Sequence, residues 1–317
     1  MSNIKPKGLE KGQTIGIISP ASPSFYKSYI TRGIETLESW GFKVVTGKHF
    51  SKRYEYLAGT DRERAADMNE MFARKDVDAI FVTQGGYGSA RILRYLDFEM
   101  IRKNPKIFVG FSDITSLHLA LLKKIGLITF HGPGMTRFNS QELSPYTEEF
   151  LFKAISSPEP IGEISCPDEK KWINIFHGGT ARGETTGGNL SLICSTLGTP
   201  YEIDTRDKIL FFEELETEPW IIDHMLTHLM NAGKLQEAAA IVVGECKNCE
   251  PFKHYPGFPA TFSLEDVLEN FLAPLGVPAV YGLPIGHLRD LATIPIGVQA
   301  CLYADEEKLI IEECATV

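Results

Sequence analysis

The sequence predicts an α/β protein, with a doubly wound, mostly parallel sheet in its first half and a smaller mixed α+β domain in its second. Short apolar runs alternate with helix-periodic stretches between positions 14 and 130. Strand-like runs end in turn residues, glycine-rich in the best-defined case, where a parallel sheet needs its connections. The alternation then lapses around Pro158–Pro167, where Ser156-Ser157-Pro158-Glu159-Pro160 reads as a linker. These features divide the chain into domains at 1–160 and 161–317.

In order, Thr14–Ser19 is a short strand stopped by Pro20, and helical periodicity runs through Tyr29–Trp40 to Gly41. Phe42–Val45 is the next strand and Arg62–Arg74 the next amphipathic helix. Ala79–Thr83 leads through a Gly-rich turn into a helix over Ser89–Tyr95. Lys106–Phe111 runs into Ser112 and a helix ending near Gly126, followed by a strand at Leu127–Phe130. Strands joined by helical crossovers form a parallel sheet covered on both faces. In the second half, helical patterns fall at Leu190–Leu197, Trp220–Ala232 and Leu264–Phe271. Apolar runs fall at Ile209–Phe212, Ala239–Val243, Pro278–Tyr281, Val298–Tyr303 and Lys308–Glu312.

Bulk composition narrows the function. The chain has 317 residues, 43% hydrophobic and 23% charged, enough for two ordinary cores. A net charge of −9 leaves no electrostatic footprint for nucleic acid. No apolar run approaches the roughly 18 residues of a membrane span. The N-terminal stretch is polar and charged until Thr14 and lacks the order of an export signal, which predicts a cytoplasmic protein. The six cysteines are then expected to be free thiols. Cys246 and Cys249 form a C-x-x-C with His254 close behind. Without a matching second ligand pair this reads as a loop after a buried strand, not a metal site.

Chemistry concentrates at a few turns. Val109-Gly110-Phe111-Ser112-Asp113-Ile114-Thr115 places a serine between an entering strand and a leaving helix, the setting of a nucleophile elbow. The helix N-terminus there offers a backbone N–H and a favourable dipole to a developing oxyanion. Gly110 relieves crowding before the serine, but Ile114 stands where a second glycine is usual. A serine that merely caps a helix is the competing interpretation. Thr83-Gln84-Gly85-Gly86-Tyr87-Gly88-Ser89 exposes bare N–H groups between strand and helix, suited to a phosphate or to half of an oxyanion hole. It lacks the spacing of a dinucleotide fingerprint. Of eight histidines, His118, His224 and His228 lie inside helical patterns. His131 and His287 both follow strands in turn-rich segments, and either qualifies as a base. Ile209-Leu210-Phe211-Phe212-Glu213-Glu214 ends a buried-type strand in two acids, one of which could orient that base; a solvated pair opening a turn is the alternative.

Taken together these segments resemble the LD-carboxypeptidase family, which includes the microcin-C immunity peptidases. The resemblance runs through Ile17-Ile18-Ser19-Pro20-Ala21-Ser22, Gln84-Gly85-Gly86-Tyr87-Gly88, Gly110-Phe111-Ser112-Asp113-Ile114-Thr115 and His131-Gly132-Pro133. It continues in Gly187-Gly188-Asn189-Leu190, Gly198-Thr199-Pro200-Tyr201, Leu210-Phe211-Phe212-Glu213-Glu214, Gly286-His287 and Thr293-Ile294-Pro295-Ile296-Gly297. It implies a Ser112–His287–Glu213 triad and an oxyanion hole from the backbone N–H groups of Gly86 and Asp113. It also implies a flavodoxin- or glutamine-amidotransferase-like first domain carrying the serine, a second domain bringing Glu213 and His287, and a homodimer. Two departures are visible: Glu213-Glu214 replaces the family's usual Glu-Asp, and Leu288-Arg289-Asp290-Leu291-Ala292 is unusually charged.

The implied reaction is cleavage of an L,D-peptide bond through an acyl-serine, with no metal or organic cofactor. The implied substrate is a small peptide, typically a muropeptide losing its terminal D-alanine. Its free carboxylate calls for a cation, for which Arg91, Arg137 and Arg289 are candidates; Gly85 and Asn189 are further substrate-binding candidates. The alternatives are a peptidyl-nucleotide antibiotic and a muropeptide-binding protein that has lost catalysis. The first should need an aromatic clamp near the site, but Trp172 and Phe176 lie in a fairly short connecting segment and Glu218-Pro219-Trp220 looks more like the cell-wall branch.

Overall fold

The structure is a computed structural model describing residues 3–139, 143–167, 172–251 and 261–317. The chain divides into two compact units. The first holds Met1–Ile161, Arg289–Val298 and Glu313–Val317, and the second holds Gly162–Leu288 and Gln299–Glu312. The division expected at 160/161 assigns the two late segments to the second domain; in the structure they belong with the first unit.

In the first unit the order is β1 (Thr14–Ile18), α1 (Lys27–Ser39), β2 (Lys43–Thr46), α2 (Asp61–Ala73) and β3 (Ala79–Val82). There follow α3 (Phe98–Lys103), β4 (Ile107–Gly110), α4 (Thr115–Ile125), β5 (Thr129–His131) and α5 (Pro145–Ser156). The strands lie in the order β2-β1-β3-β4-β5, all parallel. One late strand, Ile294–Ile296, pairs antiparallel with β5 and closes that edge. The order reverses between β1 and β3, so α1 crosses on one face and α2, α3 and α4 on the other. Trp40 after α1 meets Phe152 of α5 on the first face, with ring centroids 4.9 Å apart. β1, β3 and β4 are almost wholly buried, mostly apolar runs, and the short β5 (Thr-Phe-His) is buried throughout, as a sheet covered on both sides requires. Helix α2 starts sharply because Thr60 and Glu63 form a reciprocal capping box.

The second unit contains β6 (Gly162–Glu163), β7 (Asn174–His177), β8 (Thr180–Asn189), α6 (Leu190–Thr196), β9 (Ile209–Leu215) and α7 (Pro219–Asn231). Then come β10 (Ala240–Lys247), α8 (Leu264–Leu272) and β11 (Ala279–Gly286); after the strand at Ile294–Ile296, which is β12, follow β13 (Gln299–Tyr303) and β14 (Lys308–Ile311). Its sheet runs β6-β14-β13-β8-β9-β10-β11-β7. Only β8, β9, β10 and β11 are mutually parallel, and the flanking strands are antiparallel. Among the described residues no helix is long and apolar enough to cross a membrane.

Candidate functional site

In a doubly wound sheet, ligands bind beyond the carboxyl ends of the strands near the point where strand order reverses. In the first unit that place is framed by the loops after β1, β3 and β4. They contain Ser19-Pro20-Ala21-Ser22, the Gly-rich turn and Ser112.

Ser112 has φ 63°, in the left-handed region, although it carries a side chain. Holding a non-glycine residue there costs on the order of 1–3 kcal/mol. The surrounding packing explains how it is held. A Cβ on Gly110 would come within 2.8 Å of Val82 Cγ2 and 2.9 Å of Ile114 Cγ2, so Ile114 occupies the space that Gly110 leaves. That is why Ile114 can stand two residues after the serine. A Cβ on Gly85 would meet Ser112 Cβ at 2.9 Å and Asp113 N at 3.2 Å. The missing side chain at Gly85 therefore keeps the Asp113 N–H uncovered. Gly86 follows at φ 100°.

Asp113 does more than offer an N–H. Its buried carboxylate accepts from Gly88 N at 3.2 Å and Ser89 N at 2.7 Å, and its carbonyl accepts from Ser89 Oγ. These bonds clamp the Gly-rich turn to the serine turn. Burial pushes the Asp113 carboxyl above the usual carboxylate range. The same bonds fix the first turn of the helix expected over Ser89–Tyr95, which is a 3-10 helix.

Three supporting residues were not singled out as part of the site from sequence. The buried Arg64 guanidinium donates to the carbonyls of Pro20 and Gly88, joining the loops after β1 and β3. Its signal was a cation within the buried stripe Arg64, Met68, Met71 and Phe72 of α2. Ser22 accepts from Tyr87 N at 3.0 Å and donates to Tyr56 O at 2.9 Å. His118, fully buried, hydrogen-bonds Gly110 O at 2.8 Å and Thr129 Oγ1 at 2.9 Å, and burial lowers its pKa to about 4. It is a neutral imidazole supporting the end of β4.

In the second unit, His287 Nδ1 lies 2.6 Å from Glu213 Oε2. The two residues stand at the carboxyl ends of β11 and β9, with β10 between them. A register shift in β10 around Gly244 and Glu245 lets β11 end close to β9. Gly286, at φ 119°, is required by that approach, since a Cβ there would come 2.9 Å from Glu213 Cβ. Glu213 is wholly buried, and its Oε1 has no hydrogen-bond partner among the described residues. The His287 side chain keeps 14% of its surface exposed. His131, the other histidine considered as a base, is fully buried against the ring of Phe111.

Glu214 points elsewhere. It accepts from Asn189 Nδ2 at 3.1 Å, from Ser191 N at 2.8 Å and from Ser191 Oγ at 2.7 Å. Asn189 also caps α6 through Leu192 N. Both residues hold the start of α6. Arg91 pairs with Asp61 at 2.9 and 3.2 Å. Cys246 and Cys249 are buried free thiols, and His254 lies outside the described residues. Among the described residues no three His, Cys, Asp or Glu side chains are grouped to hold a metal.

Comparison with known proteins covers both units. Residues 15–132 match the LD-carboxypeptidase N-terminal domain and residues 182–302 the LD-carboxypeptidase C-terminal domain. A probable murein peptide carboxypeptidase of Bacillus subtilis (strain 168) is 43% identical over 98% of this chain and 95% of its own. The solved muramoyltetrapeptide carboxypeptidase of Oxalobacter formigenes is 31% identical, with a TM-score of 0.81 over 95% of this chain and 99% of its own. The microcin C7 self-immunity protein in complex with aspartyl sulfamoyl adenosine is 27% identical, with a TM-score of 0.90 over 99% of this chain and 100% of its own; that immunity protein, from Escherichia coli, is 30% identical over 96% of this chain and 94% of its own. Matched over both domains, the chain belongs to the LD-carboxypeptidase family of serine peptidases.

Proposed function

We propose that this peptidase removes the terminal D-alanine of murein tetrapeptides, with Ser112 as nucleophile, His287 as base and Glu213 as the acid that orients it. The observation that carries this reading is the left-handed backbone of Ser112 at the end of β4, beside a turn whose glycines bare their N–H groups. A helix-capping serine has no need of such strain. Ser112 Oγ attacks the scissile carbonyl carbon while its proton passes to His287 Nε2, which must come within hydrogen-bond reach for this step. Glu213 on Nδ1 fixes the tautomer and stabilises the imidazolium that forms; its buried carboxylate lies 2.6 Å from that imidazole. The N–H groups of Gly86 and Asp113 receive the oxyanion. Collapse returns the proton to the leaving amine of D-alanine, and water then cleaves the acyl-serine. The relatives named for murein peptides support the substrate class. A cytoplasmic place in cell-wall recycling and a homodimeric state complete the reading.

A second reading is favoured by one feature. Trp172, before β7, is 85% exposed, an open ring of the kind that stacks on a nucleobase. The microcin C7 self-immunity protein, which shares this fold, is solved with aspartyl sulfamoyl adenosine. One experiment separates the readings. Wild type and Ser112→Ala are incubated with a tetrapeptide ending in D-alanine and with a peptidyl-adenylate analogue, and products are followed by mass spectrometry. D-alanine release that disappears in the variant is expected. Turnover of the nucleotide conjugate alone, or binding of tetrapeptide without turnover, overturns the murein reading.

A further inference from the structure

A carboxypeptidase must tell the end of a chain from its middle, and the terminal carboxylate is the group that differs. That carboxylate lies one residue beyond the scissile carbonyl, about 3.8 Å along the chain. A cation that reads it must therefore stand close to Ser112. We infer that Arg137 receives the terminal carboxylate of the substrate; this rests on the peptidase reading given above and names the residue that makes it a carboxypeptidase.

Position separates Arg137 from the other two arginines. Arg91 sits beyond the Gly-rich turn and is drawn to the start of α2 by Asp61, which also takes Arg64 at 2.6 Å. Arg289 is exposed at the head of the returning segment, and its carbonyl accepts from Thr147 Oγ1 at 2.9 Å. The guanidinium carbon of Arg137 lies 5.7 Å from the ring centroid of Phe111, the residue immediately before Ser112. A guanidinium lying over an aromatic face gains a cation–π attraction, which holds this cation beside the serine turn, and its planar fork matches a carboxylate.

The turn bearing Arg137 is fixed by its backbone. Thr136 donates to Thr83 O from both N and Oγ1, at 3.0 and 3.1 Å, which ties it to the end of β3. Arg137 N donates to Gly134 O at 3.0 Å, and the next ring, Phe138, packs on Phe81 and Trp40 at 6.0 and 5.4 Å. Sheet order completes the argument. β4, carrying the serine, lies between β3 and β5. The turn after β3 offers N–H groups to one side of Ser112, and the turn after β5 offers this cation to the other. A carbonyl oxygen held on the first side leaves the departing residue to be held from the second.

The test compares kcat/KM for a tetrapeptide ending in D-alanine with that for the same peptide ending in D-alanine amide. Wild type, Arg137→Gln, Arg137→Lys and Arg91→Gln are measured, with melting temperatures to check folding. Wild type is expected to prefer the free acid by about 10–100-fold, the range of a charged hydrogen bond. Arg137→Gln brings the ratio close to one by raising KM for the acid while turnover of the amide persists, and Arg137→Lys restores part of the preference. An unchanged ratio in Arg137→Gln, no preference in wild type, or collapse of the ratio in Arg91→Gln instead overturns the assignment and leaves the murein reading standing. Failure of wild type to cleave either peptide removes both.

Discussion

The two units supply chemistry in different ways. Around Ser112 the working groups are largely backbone: a left-handed serine, two glycines that withhold side chains, and N–H groups directed by Asp113. Around His287 they are side chains, an imidazole and a buried carboxylate 74 residues apart in sequence. A backbone site is built from a contiguous strand, turn and helix and stores strain in one residue. A side-chain site is built by strand register and stores its cost in a buried charge. Substitutions should therefore damage the first by shape and the second by charge.

The largest expected effect is at Ser112. Ser112→Ala should lower kcat by about 10^6-fold, as removal of a serine nucleophile does. Ser112→Gly should be equally inactive yet raise stability by about 1 kcal/mol, because glycine adopts φ 63° without strain. Urea denaturation of the two variants reads this difference. Equal stability of Ala and Gly at this position would mean that the turn is not strained.

The paired acids sharpen the other half. Glu213→Gln should lower kcat by about 10^4-fold with little change in KM, the result of an imidazole held in the wrong tautomer. Glu214→Gln should keep most of kcat and instead cost about 1–3 kcal/mol of stability, since it disturbs bonds to Asn189 and Ser191. Steady-state kinetics alongside thermal melts distinguish the pair. A reversed pattern would exchange the roles of the two acids.

This contrast also explains what could be read from the chain. The alternation of β1 to β5 and the serine turn were legible because each signal lies within a dozen contiguous residues. Glu213 and Glu214 could not be told apart, because neighbouring residues of a strand face opposite ways and only register decides which face meets β11. β8 was missed as a strand for a related reason. Its polar, glycine-rich sequence carries no strand pattern, yet a Cβ on Gly187 would fall 1.8 Å from Phe211 O, so close packing on β9 demands glycine there. The pairings of Arg91 with Asp61 and of Asn189 with Glu214 were likewise not legible, because their partners lie 30 and 25 residues away in sequence. The late segment around Ile294–Ile296 could be assigned to the first sheet only once its pairing with β5 was seen.

A smaller loss is expected at Gly86. A Cβ there would lie 2.5 Å from Ser22 Oγ, and its φ of 100° disfavours any side chain. Gly86→Ala should move the N–H donor and lower kcat by about 10^2–10^3-fold, the range for one oxyanion donor. Adding Ser22→Gly removes the contact but leaves the backbone preference, so the double variant should recover only part of the rate. Full recovery would show that the contact with Ser22, and not the conformation of the turn, limits this position.

The gentlest probe is acid. His118 is buried in the first unit with its pKa lowered from 6.5 to about 4, because burial disfavours the charged imidazole. As pH falls below 6.5 the unfolded chain takes the proton before the folded one does, so stability drops between pH 6.5 and 4. The full difference is about 3 kcal/mol at the low end. Asp113 acts in the opposite direction: burial raises its carboxyl pKa, so the folded chain takes that proton first and gains stability as pH falls. Comparing wild type with His118→Gln cancels the Asp113 contribution and isolates the histidine. Urea midpoints measured from pH 7.5 to 4 should fall more steeply for wild type than for the variant. Parallel slopes would place the acid sensitivity outside the support of β4, and the serine turn would then owe its position to packing and backbone alone.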